Sequence, residues 1–311
     1  MTEMKAIRIH SYGGPEVLVY EDAPRPSPAP DEVLIRVHAA GVNPVDWKIR
    51  AGYLSGFLNL TFPFILGIDV AGVVEAVGAN VTDFKPRDAV YAWADIARNG
   101  AYAEYVTVKA ENVAPKPETL DFIQAAAVPQ AALTAWQALF ETGGLQPGQT
   151  VLIHAAAGGV GTFAVQLAKW KGVNVYGTAS AGNLEFLRDI GVDEPIDYAT
   201  LYSEAIARRV DVVLDAVGGE TQDRSWLVLK PGGVLVGTVT PPSEEAAAAH
   251  DARPAFHMTH GSGQQLREIA ALIDEGHIRP IVQEVIPLED TRRAHELSQT
   301  GHVRGKIVLR V

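Results

Sequence analysis

The stretch 151–169, VLIHAAAGGVGTFAVQLAK, constrains the fold of this chain more than any other. It begins with a short apolar run typical of a buried parallel strand, passes through a glycine-rich turn at 157–161 and ends with apolar residues at helical spacing. This is the setting of a dinucleotide-binding fingerprint, because glycines allow a tight turn and a close approach of a pyrophosphate to the helix N-terminus. The generic pattern fits only as Gly159-x-Gly161-x-x-Ala164, so a bare tight turn is the alternative.

The composition excludes several classes of function. The chain has 311 residues, a net charge of −11 and a pI near 5.3, which argues against nucleic-acid binding because phosphates must be neutralised by Lys and Arg. It contains no cysteine, which excludes disulfides, a cysteine nucleophile and thiolate zinc sites. No apolar stretch approaches the roughly 20 residues that span a bilayer, and no signal-peptide pattern is present. We therefore expect a cytoplasmic protein that binds neither nucleic acid nor membranes.

The two parts of the chain differ in their sequence patterns. Up to about residue 120, short β-branched or aromatic runs alternate with turn clusters, which predicts a β-rich region. Its predicted strands are 5–10, 17–20, 32–40, 70–77 and 102–108. Beyond it, an alanine-rich helix at 121–140 precedes strands that alternate with helices. The strands are 151–153, 173–178, 211–215 and 233–238, and the helices are 160–170, 182–190 and 221–229. This alternation predicts a doubly wound parallel sheet.

The C-terminal part is predicted to return to the first domain. Residues 244–249 are expected to form a mobile loop, and residues 254–260 the last strand of the parallel sheet. An amphipathic helix at 263–275 precedes strands at 281–285 and 306–311. We therefore expect a discontinuous first domain made of residues 1–124 and 264–311. The nucleotide-binding domain then spans residues 125–263.

Several segments match one known family in the same order along the chain. They are GVNPVDWKIRAG (41–52), LGIDVAGVVEAVG (66–78), LTAWQAL (133–139), AAAGGVG (155–161), DVVLDAVGG (211–219) and GHVRGKIVL (301–309). With these segments the chain resembles, over essentially its full length, the zinc-independent quinone oxidoreductases of the medium-chain dehydrogenase/reductase superfamily. The family signature AxxGxxG is met by Ala155, Gly158 and Gly161. The resemblance implies an α/β protein with a GroES-like β-rich catalytic domain, a Rossmann doubly wound parallel sheet and a cofactor cleft between them.

The positions of the zinc ligands carry other residues in this chain. Zinc members of the superfamily have Cys where this chain has Asn43, and Gly-His-Glu where it has Gly67-Ile68-Asp69. Neither Asn43 nor Ile68 can replace a thiolate or an imidazole as a zinc ligand, so we predict no metal site. Oxidising an ordinary alcohol requires a group that stabilises the alkoxide, and in the zinc enzymes the metal is the Lewis acid that does so. Hydride delivery to a quinone or an α,β-unsaturated carbonyl is easier, because conjugation in the acceptor absorbs the incoming charge.

Two residues of the first domain are the catalytic candidates. The amide of Asn43 can donate to the substrate oxygen or to the nicotinamide ribose, the alternative being an Asn that stabilises the turn before Pro44. Tyr53 resembles a tyrosine that faces the cleft in relatives, and its phenol can donate to a carbonyl, the alternative being a packed aromatic. Asp46 matches a position that orients the active-site loop in the superfamily, with a helix-start acid as the alternative.

The remaining candidates are cofactor contacts that the resemblance implies. Thr134 resembles a residue near the nicotinamide, and Arg304 and Lys306 resemble a segment that lines the cofactor cleft. The full set is Asn43, Thr134, Ala157, Gly158, Gly159, Val160, Gly161, Thr178, Ser180, Asn183, Tyr198, Val217, Thr238, Arg304 and Lys306. The second strand ends at Ser180 without the acid that holds a ribose 2′-OH in NAD-specific folds. Because Ser180 can donate to a 2′-phosphate, NADPH is predicted over NADH.

The sequence therefore predicts an NADPH-dependent, zinc-independent reductase of quinones or α,β-unsaturated carbonyls. One alternative is an enoyl reductase acting on a specific biosynthetic intermediate, such as a polyketide. Another is an NADPH-binding relative with a structural role. The predicted edge strand at 254–260 is apolar and has no protecting Lys, so we expect a two-fold homodimer in which this strand pairs with its mate, as in relatives.

Overall fold

The computed structural model describes residues 2–200 and 209–311. The strands are β1 (Glu3–Ile9), β2 (Val19–Pro24), β3 (Glu32–Val42), β4 (Phe64–Ile65), β5 (Asp69–Val77), β6 (Ala89–Trp93), β7 (Tyr105–Lys109), β8 (Val113–Pro115), β9 (Thr150–Ile153), β10 (Asn174–Ala179), β11 (Glu194–Asp197), β12 (Val210–Asp215), β13 (Leu229–Gly237), β14 (Arg253–Phe256), β15 (Val282–Pro287) and β16 (Lys306–Arg310). The α-helices are α1 (Pro44–Arg50), α2 (Phe122–Ala126), α3 (Pro129–Trp136), α4 (Gly159–Trp170), α5 (Leu184–Asp189), α6 (Glu220–Ser225), α7 (Glu244–Ala249), α8 (Gly263–Asp274) and α9 (Thr291–Gln299).

The chain divides into two units, of which the first is discontinuous in sequence. Unit 1 comprises Met1–Gln130, Gly261–Gly276 and Pro280–Val311, and unit 2 comprises Ala131–His260 and His277–Arg279. Residues from both ends of the chain meet in unit 1, because β16 pairs antiparallel with β3. The large sheet of unit 1 has the order β15-β16-β3-β5-β6-β8, with β7 also paired to β3, and a smaller sheet has the order β2-β1-β4. This is the GroES-like β-rich domain that the sequence predicts.

Unit 2 is built around a parallel sheet with the order β11-β10-β9-β12-β13-β14. Every residue of β12 is buried, as expected for a central strand covered on both faces. Within this sheet, the first strand in sequence is β9, and β10 and β11 are added on one side of it. The chain then crosses back and places β12 on the other side of β9. This reversal makes the crevice beyond the carboxyl ends of β9 and β12 the topological switch point of the sheet. The predicted Rossmann-type sheet is thus confirmed.

Residues 244–249 form the helix α7, so the prediction of a mobile loop there is wrong. The side chain of Ser243 accepts a hydrogen bond from the backbone N–H of Ala246 at 3.2 Å, which caps the first turn. Alanine has the highest intrinsic helix propensity, so a capped run of alanines is helical although its composition is simple. Low sequence complexity alone was a poor indicator of disorder in this segment.

The helix predicted at 121–140 is divided into three pieces. The first piece, α2, ends at Ala126, and α3 begins at Pro129. Proline suits the first position of a helix, where an N–H would have no partner, but in the interior of a helix it would remove a hydrogen bond. The chain then continues as a π-helical segment, Gln137–Thr142. This arrangement places Thr134, on α3, and Thr142, at the end of the π-helical segment, about two turns apart on one helical rod.

Candidate functional site

The glycine turn lies at the N-terminus of α4, directly after β9. Gly158 is the N-cap residue, and a Cβ on it would lie 3.2 Å from the carbonyl oxygen of Ala155. A Cβ on Gly161 would lie 2.3 Å from that oxygen and 2.6 Å from the Cα of Ala156, so a side chain cannot be accommodated there. Gly161 therefore lets the first turn of α4 pack on the end of β9. The first N–H groups of α4 have no partner within the helix and point out of this turn.

The other predicted contacts of unit 2 collect at the same edge of the sheet. Parallel strands end at one edge, and each of these residues lies at or just after the carboxyl end of a strand. They are Thr178 and Ser180 at the end of β10, Tyr198 after β11, Val217 after β12 and Thr238 after β13. Tyr198 and Val217 are 54% and 48% exposed, so their side chains are accessible to a ligand. The structure thus brings the predicted set together around the topological switch point.

A buried carboxylate that the sequence analysis did not assign shapes one of these loops. Asp215 ends β12 and accepts hydrogen bonds from the backbone N–H groups of Val217 at 2.9 Å and Gly218 at 3.0 Å. It also accepts from the side-chain amide of Gln222 at 3.0 Å. These bonds fix the turn that carries Val217. The segment DVVLDAVGG contains this aspartate, and its position at the end of an apolar strand was the available signal.

Two predicted contacts have hydroxyl groups that point into unit 2. Thr178 is 4% exposed, and its Oγ1 is hydrogen-bonded to Nδ1 of the buried His154 at 3.2 Å. Thr134 is also 4% exposed, and its Oγ1 lies 2.7 Å from Oγ1 of Thr259. Both threonines therefore belong to internal hydrogen-bond networks behind the carboxyl edge of the sheet.

The end of β10 carries a hydroxyl and an amide and no acidic residue. Oγ of Ser180 accepts a hydrogen bond from the side-chain amide of Asn183 at 3.0 Å. Because this bond uses a lone pair, the hydroxyl hydrogen of Ser180 can be donated to an anionic oxygen. This hydroxyl hydrogen can be donated to an oxygen of a phosphate or of a ribose.

In unit 1, Asn43 lies in a buried network with an ion pair. Its Oδ1 accepts from Nζ of Lys306 at 2.5 Å, and its Nδ2 donates to Oδ2 of Asp69 at 2.9 Å. Lys306 also donates to the carbonyl of Val42 at 2.9 Å and lies 3.1 Å from Oδ2 of Asp69. All three ammonium hydrogens thus have acceptors inside unit 1, and the lysine is 4% exposed. The ammonium group of Lys306 therefore orients the amide of Asn43, and a contact of Lys306 with the cofactor stays a prediction.

Asp46 occupies the start of α1, next to this network. Asn43 is the N-cap of α1 and donates its backbone N–H to Oδ2 of Asp46 at 2.7 Å, and the hydroxyl of Tyr102 donates to the same oxygen at 2.8 Å. Burial raises the pKa of Asp46 to about 7, although these two donors and Lys306 oppose the shift. The carboxyl group of Asp46 therefore binds a proton more readily than that of an exposed aspartate.

The remaining candidates of unit 1 are exposed. Tyr53 is 70% exposed, and its ring packs edge-to-face on Trp47 with a centroid separation of 5.9 Å. Its hydroxyl is accessible to a ligand. The side chain of Arg304 lies on the surface, and its backbone N–H donates to Oε1 of Gln283 at 2.5 Å.

The described part of the chain contains no group of three or more His, Asp or Glu side chains arranged to hold a metal ion. Within residues 2–200 and 209–311, no helix has the length and apolar character needed to cross a bilayer. Unit 2 does fit a nicotinamide dinucleotide. A close-packed glycine turn offers helix N–H groups at the switch point, and exposed apolar and aromatic side chains flank them.

Comparisons with known proteins agree with this fold. Residues 29–118 match the family model of the alcohol dehydrogenase GroES-like domain, and residues 190–309 match that of a zinc-binding dehydrogenase. The chain is 36% identical to the mitochondrial NAD(P)H oxidoreductase RTN4IP1 of Mus musculus, over 100% of this chain and 90% of the relative. It is 37% identical to the chloroplastic NADPH-dependent alkenal/one oxidoreductase of Arabidopsis thaliana, over 99% and 79%. The solved quinone oxidoreductase of Coxiella burnetii superposes with a TM-score of 0.92 at 38% identity, covering 100% of both chains.

The GroES-like unit, the Rossmann-type unit and its glycine turn define a medium-chain dehydrogenase/reductase. Within that superfamily the chain belongs to the quinone oxidoreductase-like family. It is accordingly an oxidoreductase that uses a nicotinamide cofactor and acts on small molecules.

Proposed function

We propose that this protein transfers hydride from NADPH to quinones or α,β-unsaturated carbonyls without a metal ion. The observation that carries the proposal is the glycine-lined N-terminus of α4 at the switch point of the parallel sheet. Relatives named as NADPH-dependent alkenal/one oxidoreductase and quinone oxidoreductase support the choice of acceptor. When bound, the nicotinamide supplies the hydride, and the protein supplies orientation and hydrogen bonds to the oxygen on which charge develops.

Residues of this chain can perform three tasks in that reaction. Backbone N–H groups of residues 158–161 hold the pyrophosphate, and Ser180 donates to the 2′-phosphate. The side-chain amide of Asn43 donates one hydrogen to Asp69, and its second hydrogen can be donated to a ligand oxygen. Tyr53 presents an accessible hydroxyl to the acceptor. The proton that completes the reduction comes from solvent or from this hydroxyl.

The metal-free part of the proposal rests on residue chemistry. Asn43 and Ile68 stand where zinc members carry ligands, and the amide of Asn43 is already engaged by Lys306 and Asp69. Ile68 is 2% exposed and has no atom that can bind zinc. One matched family model is described as zinc-binding, so the point requires a direct test.

Steady-state kinetics with EDTA-treated protein tests the proposal. NADPH oxidation at 340 nm, with a quinone and an enone as separate acceptors, should proceed at full rate after chelation, and more efficiently with NADPH than with NADH. Stoichiometric zinc with activity lost on its removal would refute the metal-free mechanism. NADPH binding without turnover of any acceptor would favour a structural role. Turnover of only one biosynthetic intermediate, such as a polyketide, would favour the alternative function of an enoyl reductase.

Replacing Gly159 by aspartate should weaken NADPH binding at least about tenfold, or roughly 1.4 kcal/mol. The first residue of α4 would then place a carboxylate where the pyrophosphate approaches. Gly159→Asn is the matched control, because it adds the same bulk without the charge and should lose less affinity. Fluorescence titration gives both dissociation constants, and thermal unfolding verifies the fold. Equal affinities for wild type and Gly159→Asp would exclude this turn as the phosphate site.

Replacing Tyr53 by phenylalanine should lower kcat for an enone about tenfold and affect a quinone less. An electron-poor quinone disperses charge itself, so the enone depends more on a hydrogen bond to its oxygen. NADPH affinity should be nearly unchanged. Tyr20→Phe is the control, because Tyr20 is also an exposed tyrosine of unit 1, at 45% exposure. Equal rates on both acceptors would leave Tyr53 as a packing residue, and lost NADPH affinity would reassign it to the cofactor.

The homodimer and the cytoplasmic location remain parts of the proposal. β14 is an edge strand of the parallel sheet, and Phe256 and Met258 beside it are 42% and 77% exposed. Such an edge favours pairing with a second copy. Light scattering at micromolar concentration should give twice the chain mass of 33.3 kDa, and a monomer would refute the pairing.

Subcellular fractionation tests the proposed cytoplasmic location, since the RTN4IP1 relatives are named as mitochondrial.

A further inference from the structure

Four polar side chains of unit 2 form a continuous hydrogen-bonded chain. Oγ1 of Thr134 lies 2.7 Å from Oγ1 of Thr259, which lies 3.3 Å from Nε2 of His257. The other ring nitrogen of His257, Nδ1, lies 3.0 Å from Oγ1 of Thr142. We refer to these residues as the Thr–His chain. It starts on α3, passes through the segment after β14 and ends at the close of the π-helical segment.

The segment that carries His257 is held to the helix by its backbone. The N–H of His257 donates to the carbonyl of Gly237 at 2.9 Å, which continues the pairing of β14 with β13. The side chain of Gln137 donates to the carbonyl of His260 at 2.9 Å and accepts from its N–H at 3.2 Å. His257 is 7% exposed, whereas the next residue, Met258, is 77% exposed. The segment therefore has a defined inner face, on which His257 and Thr259 lie.

The imidazole in the middle of the chain is neutral at physiological pH. Burial and, to a lesser extent, repulsion from His260 lower the pKa of His257 to about 4. A neutral imidazole has one N–H and one bare nitrogen, so it donates on one side and accepts on the other. The tautomer of His257 consequently decides whether Thr259 receives a hydrogen bond from Nε2 or donates one to it, and so favours one direction of the bond between Thr259 and Thr134.

We propose that His257 is a positioning residue for the nicotinamide site, acting through Thr259 to fix the orientation of the Thr134 hydroxyl. The inference rests on the proposed function and on the sequence-based prediction that Thr134 lies near the nicotinamide. His257 directly follows β14, at the same edge of the sheet as the other cofactor candidates. A histidine that does not titrate keeps this orientation constant over the working pH range of an enzyme. A change of the tautomer would let the bond between Thr259 and Thr134 reverse its direction.

The test combines spectroscopy of the apo protein with cofactor titration. The ¹⁵N shifts of the His257 ring should report one neutral tautomer from pH 5.5 to 8, both with and without NADP⁺. Thr134→Val and His257→Leu should each weaken NADP⁺ binding roughly three- to tenfold, the range for one lost hydrogen bond. The double variant should lose no more than either single variant, because both changes interrupt the same chain. His257→Gln should keep most of the affinity, since an amide can donate and accept.

Control variants separate positioning from structure. His250→Leu changes an exposed histidine of the same unit and should leave NADP⁺ affinity unchanged. If His257→Leu lowers the melting temperature but not the affinity, or if the two losses multiply in the double variant, the inference is overturned. A protonated or mixed-tautomer ring would overturn it as well. Wild-type protein that fails to bind NADP⁺ would instead overturn the proposed function, which the wild-type titration reveals before any variant is measured.

Discussion

Replacing Lys306 by methionine should lower the free energy of unfolding by about 3–5 kcal/mol, the range for breaking a buried ion pair. Asp69 is fully buried, and Lys306 is the cation that lies 3.1 Å from its carboxylate. The substitution also removes the donor to the carbonyl of Val42 and to Oδ1 of Asn43. The uncompensated charge and the orphaned acceptors all lie in the core of unit 1. Urea denaturation measures the loss.

Two further variants make this result interpretable. Lys85→Met changes a lysine whose side chain is 81% exposed and pairs on the surface with Asp88, so it should alter the unfolding free energy by less than about 1 kcal/mol. Lys306→Met combined with Asp69→Asn removes both charges and should recover part of the stability, because no isolated charge is left. A loss below about 1 kcal/mol in Lys306→Met alone would contradict a dry, paired site.

Replacing Gly161 by alanine should both destabilise unit 2 and weaken NADPH binding at least about tenfold. The new Cβ would lie 2.3 Å from the carbonyl oxygen of Ala155 and 2.6 Å from the Cα of Ala156, and backbone atoms cannot rotate away. The first turn of α4 must therefore move off β9, which shifts the N–H groups that face the phosphates. Overpacking of this kind typically costs about 1–3 kcal/mol. Thermal unfolding and fluorescence titration measure the two effects.

The matched control is Gly56→Ala, because a Cβ on Gly56 meets no atom within 4 Å. It should change neither the melting temperature by more than about 2 °C nor the affinity for NADPH. Wild-type stability and affinity in Gly161→Ala would show that the turn relaxes without moving α4. That result would contradict the close packing described for this glycine.

The sequence was sufficient for those parts of the molecule that local pattern determines. The glycine turn and the alternation of strands and helices after residue 120 have periodicities that a single chain shows directly. The glycines, Ser180, Tyr198, Val217 and Thr238 could be grouped because parallel strands end at one edge. The strands β4, of two residues, and β8, of three, were missed because they are too brief to show alternation, and the strands β6 and β11 were missed as well. The helix α9 was missed because its sequence, TRRAHELSQ, is mostly polar.

What the sequence could not supply were contacts between distant segments. Lys306 and Asn43 are separated by 263 positions, and His257 and Thr142 by 115. No spacing rule links such pairs, so the sequence does not reveal that the ammonium group of Lys306 contacts Asp69 and Asn43. The role of His257 was also not visible. Its segment was predicted only as an apolar edge, and a lone histidine in such a segment gives no indication of its partners.

The pairing of β3 with β16 has a consequence for the biosynthesis of the protein. A ribosome delivers residues 131–260 as one nearly continuous block, so unit 2 can fold while the last strands of unit 1 are still unmade. Throughout that interval, the edge of β3 at Ala39–Val42 is uncovered and Asp69 lacks its counter-ion, because β16 and Lys306 follow unit 2 in the chain. The nascent first unit thus carries an open stretch of strand edge, which is a state prone to aggregation. Synthesis of β16 covers this stretch and supplies the counter-ion of Asp69.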